Sequence, residues 1–449
     1  MFMKKSDNPL RVAFYTLGCK LNFAETSALS RSFQAVGYQP VEWDETADVY
    51  VINTCTVTDN ADRRVRSLAR GVLRRNPWAR VVAAGCYAQV NPEELRNTAG
   101  IALVVGSADK FRIPELLEQH ALSMRPDNTS KKDRTALVVC SDLSGQTAYH
   151  AAYSLSERTR AFLKIQDGCD YRCSYCTIPL ARGGSRSEPL ESVLASAEKI
   201  VSSGIREIVL TGVNTGDWGR TAGRGETFFD LVKALDRVEG LERIRISSIE
   251  PNLLTDEILE YVASSKHFVP HFHVPLQSGC DAVLREMRRR YLTPLYRHRV
   301  QRILELMPHA CIGADVIVGF PTETDEYFRQ TYDFIDSLDL SYLHVFTYSE
   351  RENTPAAAMP VSVPAQVRAA RSRTLHELGQ AKRDAFYRRH IGQTRQVLVE
   401  SENKNGTMFG FTDNYIKVAL PWDESLAGTL QSVRLEEERA DGTVRGTLC

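Results

Sequence analysis

Residues 161–179 read AFLKIQDGCDYRCSYCTIP, an apolar run that gives way to three closely spaced cysteines. Cys169, Cys173 and Cys176 have the spacing C-x3-C-x2-C. They fall on the loop after a strand candidate, where α/β folds bind their ligands. Thiolates this close repel one another unless a cation neutralises them. A closed zinc site takes four protein ligands, and no fourth cysteine or histidine is near in sequence. A cubane iron–sulfur cluster has four irons, so three cysteines leave one iron open for a substrate or cofactor. The cluster is the favoured occupant, with zinc and a purely structural trio as the alternatives.

Toward the carboxyl terminus, EIVLTGVN, RIRISSI, HFHVPLQ, ADVIVGF and YLHVFTYS alternate with helical stretches such as LESVLASAEKIVSSG and PLYRHRVQRILELM. With AFLKIQ they make six βα repeats, which predict a (βα)6 partial TIM barrel over 156–388. A doubly wound sheet is the alternative that periodicity leaves open. Toward the amino terminus, RVAFYTLG, VYVINT, RVVAAG and ALVVG also alternate with helix candidates. They predict an open parallel α/β sheet covered on both faces over 10–120. Residues 121–155 include the polar, turn-rich SMRPDNTSKKDR and read as a linker. A long helix is expected after Pro364. Beyond it, RQVLVES, NYIKVAL and LQSVRLEEE, separated by NKNG, DESLAG and ADGT, predict a small β-barrel over 389–449.

Three further cysteines have no local partner. Cys19, Cys55 and Cys86 each stand just beyond a strand candidate (VAFYTLGC, VYVINTC, RVVAAGC), with a helix to follow. Strand carboxyl ends of a parallel sheet share one edge, and consecutive βα strands are usually neighbours. Topology therefore predicts that these cysteines meet. A lone cysteine is as often a small buried hydrophobe; the repeated placement favours a second three-cysteine site.

Formal net charge is zero, so global electrostatics announce neither a nucleic acid nor a membrane. The N-terminus lacks the apolar stretch of a secretory signal, and no run is long enough to span a bilayer. Ten cysteines without such a signal point to a reducing cytoplasm, where grouped cysteines mean metal or catalysis. RRVRSLARGVLRR and the Arg-rich run at 368–389 read as solvated helix faces. Cys140, Cys280, Cys311 and Cys449 have no partner spacing and read as ordinary thiols.

C-x3-C-x2-C with an aromatic, Tyr175, before the last cysteine resembles the radical S-adenosylmethionine enzymes. In that family the open iron is chelated by S-adenosylmethionine, which is cleaved to a 5′-deoxyadenosyl radical. The resemblance makes Tyr175, Thr211, Gly212, Asn214, Ser247, Glu250, Gln277, Ser278, Asp315, Gly319 and Glu323 the candidate cofactor rim. His271 and His273 alternate on one strand and read as barrel lining rather than metal ligands.

Two three-cysteine sites followed by a small β-barrel resemble the methylthiotransferases over nearly the whole chain. The resemblance implies two [4Fe-4S] clusters, held by Cys19, Cys55 and Cys86 and by Cys169, Cys173 and Cys176. It implies two S-adenosylmethionine molecules per turnover: one methylates a sulfur carried by the N-terminal cluster, and the other generates the radical. TLGCKLN, INTCTVT, AAGCYAQ and GCDYRCSYCTIPLARGGSRS are most similar to the branch acting on N6-threonylcarbamoyladenosine beside the tRNA anticodon. The partners implied are a tRNA anticodon stem-loop and a low-potential electron donor of the flavodoxin or ferredoxin type. Arg182 and Arg186 are candidates to guide nucleotide or cofactor, or belong to a solvated loop. The last module is similar to the RNA-gripping TRAM barrel, although acidic residues slightly outnumber basic ones there. Phe409, Phe411 and Tyr415 are candidates for base stacking or for barrel core.

The alternatives are a branch modifying isopentenyl-adenosine tRNA or a ribosomal-protein side chain. A non-enzymatic iron–sulfur carrier or RNA-binding protein explains the cysteines but not the polar rim. No D-x-H-x-x-G motif supports a cobalamin enzyme.

Overall fold

The computed structural model describes residues 9–56, 59–121, 136–155, 159–220, 223 and 225–449. SMRPDNTSKKDR, the core of the expected linker, lies outside them. The chain forms two compact units, one holding residues up to 154 with 167–171 and 177–186, the other holding the rest.

The first unit is built on a parallel sheet. Its strands are β1 (Arg11–Thr16), β2 (Gln39–Val41), β3 (Val49–Thr54), β4 (Arg80–Gly85), β5 (Ile101–Val105) and β6 (Leu137–Val139). Their order is β2-β1-β3-β4-β5-β6. Side chains alternate between faces along each strand. Val12, Val49, Val51 and Val82 therefore pack with Phe33 of α1 (Lys20–Ala35), while Ala13, Tyr50, Ile52 and Val81 pack with Val65 and Val72 of α2 (Asp59–Arg75). Gly37, at φ +92°, turns the chain after α1. β2 and β6 were not expected. Each has only three residues, too few for a periodicity to register, and β6 lies inside the segment read as linker.

Pairing of Thr16 with Asn53 and of Thr54 with Gly85 brings three strand ends level. Cys55 and Cys86 follow their strands directly and Cys19 comes three residues after Thr16; Cys86 opens α3 (Cys86–Val90).

The second unit contains six parallel strands in chain order: β7 (Arg160–Lys164), β8 (Glu207–Thr211), β9 (Arg243–Ile246), β10 (His271–His273), β11 (Cys311–Val318) and β12 (Tyr342–Thr347). β7-β8-β9 and β10-β11-β12 are hydrogen-bonded sheets, joined by a parallel bridge between Ile244 and Phe268. This is the expected partial barrel. Thr227, Thr255 and Thr324 cap three of its helices through their hydroxyls. A helix at Ala365–Arg388 leads into a closed barrel of β13 (Thr394–Val399), β14 (Thr407–Thr412), β15 (Lys417–Pro421), β16 (Leu430–Glu438) and β17 (Val444–Leu448). Val397, Met408, Val418, Val433 and Val444 fill its core.

Candidate functional site

In the first unit the sheet edge is drawn together by polar bonds. The Asn22 amide donates to the Leu17 carbonyl at 2.7 Å and the Thr54 carbonyl at 3.1 Å. The Asn53 amide donates to the Asn22 carbonyl at 3.1 Å. These bonds tie the start of α1, which follows Cys19, to the end of β3, which precedes Cys55. Gly18, at φ +97°, closes the approach: a Cβ there would lie 2.7 Å from both Cβ and Sγ of Cys55. Gly85 precedes Cys86 at φ +103°, and a Cβ would meet the Asn53 Oδ1 at 2.6 Å. Cys55 and Cys86 are buried, whereas Cys19 is exposed as a residue. Surrounding protein still desolvates the Cys19 thiol and raises its pKa, with Arg182 pulling the other way.

Arg182 ends a short helix, Ile178–Arg182, of the same unit, and its side chain is 2 % exposed. Its Nε donates to the Cys86 Sγ at 3.2 Å. Nη1 reaches Asp167 at 2.9 Å and Glu25 at 3.1 Å, and Nη2 reaches Asn22 at 2.6 Å and Glu25 at 3.0 Å. Glu25 also pairs with the buried Lys110, and Asp167 with Arg186 at 3.4 Å. Burial works against the Arg182 charge, but Cys86, Glu25 and Asp167 overcome it and hold the guanidinium protonated. Arg182 therefore belongs to a buried network, and the solvated-loop reading does not hold.

Cys169 lies in this unit and donates its N–H to the Gly183 carbonyl at 3.0 Å. Gly168 before it, at φ +68°, leaves no room for a Cβ, which would lie 1.9 Å from the Gly184 carbonyl oxygen. Thus Cys19, Cys86 and Cys169 each follow a left-handed glycine. The same Gly-Cys pair recurs at 279–280, where the glycine is not left-handed, so the pair alone does not mark these positions.

In the second unit the Cys173 Sγ accepts from Arg289 Nη1 at 3.2 Å, and the same nitrogen reaches the Tyr175 hydroxyl at 3.4 Å. Arg289 is paired with Glu250 and donates from Nε to Tyr291 at 3.3 Å. Burial raises the Cys173 thiol, and Arg289 counters it. Burial also lifts the Tyr175 phenol well above its ordinary value.

Other rim candidates divide into two groups. Asn214 is 4 % exposed, its N–H bonds the Gln166 side chain at 2.8 Å, and both polar atoms of its own amide are buried without a partner. That orphaned amide fits a ligand offering a donor and an acceptor, as the amino-acid end of S-adenosylmethionine does. Thr211 and Ser247 are buried at strand ends. A Cβ on Gly212 would meet the Gln166 carbonyl oxygen at 3.1 Å. Gln277 takes φ +64° and bonds through its backbone to Asp315 and Ile317. Asp315 accepts from His273 Nε2 at 3.0 Å, and the two share a cluster with His344 whose ligand atoms lie within 4.8 Å of one another. His273 therefore has a polar partner that its reading as plain lining did not foresee.

By contrast, Ser278 and Gly319 are engaged by the protein itself, and Glu323 is engaged through Oε1 while its buried Oε2 has no hydrogen-bond partner. Glu323 Oε1 accepts from the Gly319 N–H at 2.8 Å and from Arg371 at 2.6 Å. The Ser278 and Thr331 hydroxyls bond at 3.1 Å. A Cβ on Gly319 would meet Arg368 at 2.4 Å. Arg371 is buried, unlike the solvated face expected of its helix. The three aromatic candidates of the last module are also occupied. Phe411 lies under the Arg160 guanidinium at 4.6 Å, and Lys417 sits 4.7 Å from the Phe409 ring. Tyr415 stacks on His271 at 4.2 Å.

Comparison with known proteins adds the following. Residues 11–106 match a family described as "Uncharacterized protein family UPF0004", and residues 163–335 match the Radical SAM superfamily. The chain is 39 % identical over 429 residues to the threonylcarbamoyladenosine tRNA methylthiotransferase MtaB of Bacillus subtilis, covering 94 % of this chain and 93 % of that one. It is 38 % identical to the protein of the same name from Aquifex aeolicus, covering 91 % and 96 %. A tRNA-2-methylthio-N(6)-dimethylallyladenosine synthase from Aquifex aeolicus is 30 % identical, covering 94 % of each. Among solved structures, the radical S-adenosylmethionine methyltransferase TsrM from Kitasatospora setae superposes with a TM-score of 0.57 at 16 % identity, over 77 % of this chain and 75 % of that one. That likeness is one of fold.

Proposed function

We propose a function from one premise: this chain belongs to the radical S-adenosylmethionine methylthiotransferase family. It is a transferase working by radical S-adenosylmethionine chemistry on tRNA. We infer that its substrate is N6-threonylcarbamoyladenosine beside the anticodon and that the methylthio group goes to C2. Greater identity to relatives named for that nucleoside (39 % and 38 %) than to one named for the dimethylallyl nucleoside (30 %) supports the choice.

The observation that carries the two-site reading is the level sheet edge bearing Cys19, Cys55 and Cys86, with the Arg182 guanidinium against the Cys86 sulfur. We assign that trio and Cys169, Cys173 and Cys176 as two sets of [4Fe-4S] ligands. When bound, these groups supply a low-potential electron at the second set and a sulfur-bearing iron at the first, while S-adenosylmethionine supplies the radical and the methyl group. The chain's own part is to hold and neutralise thiolates: Arg182 beside Cys86, Arg289 beside Cys173. Asn214 is the residue we assign to the amino-acid end of S-adenosylmethionine. The same reading implies domains at 10–120, 156–388 and 389–449, a flavodoxin- or ferredoxin-type electron donor and a cytoplasmic location. No helix among the described residues is long and apolar enough to cross a membrane.

Anaerobic reconstitution tests the ligand sets. The parent should hold about eight irons and the Cys19→Ala/Cys55→Ala/Cys86→Ala variant about four, as two cubanes require. An equal count in both would remove the second site. Nucleoside mass analysis of tRNA from a deletion strain should show loss of methylthio-threonylcarbamoyladenosine. Loss of the isopentenyl derivative instead would reassign the substrate.

A further inference from the structure

Arg182 is a buried, multiply bonded side chain beside Cys86, and the sequence offers it either as a guide for nucleotide or cofactor or as part of a solvated loop. All five of its side-chain bonds end within the first unit, on Cys86, Glu25, Asp167 and Asn22. The guanidinium is buried, and a buried charge is costly unless it is paired and hydrogen-bonded. Glu25 and Asp167 pair with it, and its Nε donates to the Cys86 sulfur at 3.2 Å. Three thiolates on a doubly positive Fe4S4 core carry about one net negative charge, and hydrogen bonds to cluster sulfurs and local charge tune its reduction potential.

We propose that Arg182 is the positioning residue of the sulfur-donor site: its guanidinium, aimed by Glu25, Asp167 and Asn22, donates to the Cys86 sulfur and supplies the positive charge that an anionic cluster on Cys19, Cys55 and Cys86 requires. The proposal rests on the two-cluster reading above and adds a residue and an electrostatic function to it. Glu25 and Asp167 have the opposite sign of effect, because each draws the guanidinium charge away from the sulfur. The geometry also gives Arg182 its direction. Its Nη atoms are taken up by the two carboxylates and Asn22, which leaves Nε for the cysteine.

The test uses the full chain with Cys169, Cys173 and Cys176 changed to Ala, so that any iron reports on the N-terminal trio. Iron and sulfide are counted after anaerobic reconstitution, and the midpoint potential is followed by electron paramagnetic resonance. Arg182→Met should lower iron occupancy at least twofold. In the cluster that remains, it should cut the reduced-to-oxidised ratio at a fixed potential at least tenfold, which is about 59 mV for one electron. Arg182→Lys, which keeps the charge, should fall between the two. Glu25→Gln should move the potential the other way, toward easier reduction. A packing defect would push Met and Gln variants in the same direction, so that result overturns the proposal, as does an Arg182→Met potential and iron count equal to the parent's. If Arg182→Met fails to fold, the opposed shifts of Arg182→Lys and Glu25→Gln decide it. A parent that takes up no iron in this background would instead overturn the two-cluster reading itself.

Discussion

The Cys86 and Cys173 environments use one device with different surroundings. In each, an arginine donates to a cysteine sulfur at 3.2 Å and leans on a glutamate, Glu25 for Arg182 and Glu250 for Arg289. Around Arg182 the glutamate is shared with Lys110, and a second carboxylate joins it, all of them buried. Around Arg289 there is one carboxylate, 15 % exposed, and two phenols, Tyr175 and Tyr291. The first arrangement is a buried network around a cation. The second is a single ion pair beside side chains that the sequence assigns to the cofactor rim. On the proposed assignment, the more heavily braced charge would serve the site that holds sulfur, and the simpler pair the site that a charged cofactor enters.

The largest effect expected breaks the comparison at Arg289. Arg289→Met strands Glu250 beside buried groups and should cost about 3 kcal/mol or more, because a partly buried charge loses its partner. Arg289→Met/Glu250→Gln should recover most of that loss, since removing both members spares the desolvation penalty. Denaturant midpoints of the parent, both single variants and the double variant check this. If the double variant is no better than Arg289→Met, the arginine acts through packing on Tyr291 and not through its charge.

The glycines sharpen the same contrast. Gly168→Ala brings a Cβ against backbone, 1.9 Å from the Gly184 oxygen, which cannot rotate away. It should cost about 2–3 kcal/mol. Gly18→Ala meets the side chain of Cys55 at 2.7 Å and should cost about 1–2 kcal/mol. Its readier relief is for Cys55 to turn aside, so Gly18→Ala should lose iron from the N-terminal trio while the trio at 169–176 keeps its own. Iron counts in the two cysteine-null backgrounds, with thermal melts alongside, separate the outcomes. Uniform iron loss in both backgrounds would mean that Gly18 supports the fold rather than the cysteine.

What sequence could and could not convey follows from chain distance. Strand–cysteine–helix repeats are local, so the sheet edge and its three cysteines were readable from VAFYTLGC, VYVINTC and RVVAAGC. The six-strand barrel was readable for the same reason. Arg182 is a candidate in the sequence too, but its burial and its partners were not readable, because Glu25 and Cys86 lie 157 and 96 residues away. Nothing in ARGG announces a buried cation. Glu323 reads as a rim residue because it follows a glycine turn after a strand, and its Oε2 is still without a hydrogen-bond partner. Its actual partner, Arg371, comes from a helix 48 residues on whose repeated arginines read as solvated. Phe411 and Tyr415 were equally ambiguous, since an aromatic in a small barrel can stack on a base or on a neighbouring arginine with the same composition. Tertiary contact supplies the partners described for each of these, and pattern has no access to it.

Charge balance, the property that separates the two cysteine environments, also divides two buried glutamates of the second unit. Burial alone would raise Glu207, but Arg245, Arg160 and Arg243 outweigh it and hold the carboxyl at about 2. Burial raises Glu188 to about 7, with only Lys164 opposing, and its Oε2 has no hydrogen-bond partner. The signs of the pH dependence are therefore opposite. Glu207 stabilises the fold above its ordinary pKa of 4.5 and loses that contribution as pH falls toward 2. For Glu188 the native state binds the proton more tightly than the unfolded chain. Its contribution is fully present below pH 4.5 and is lost as pH rises through about 7. Glu188→Gln should leave the urea midpoint near the parent's at pH 4.5 and raise it at pH 8. The rise to about 7 already includes the opposing field of Lys164, so the gain at pH 8 is on the order of 1–3 kcal/mol. Glu207→Gln should destabilise at both pH values, because three arginines lose their counter-charge. A Glu188→Gln variant less stable than the parent at pH 8 would show that the field of Lys164 outweighs burial, and would place Glu188 with Glu207 among carboxylates that the fold keeps charged.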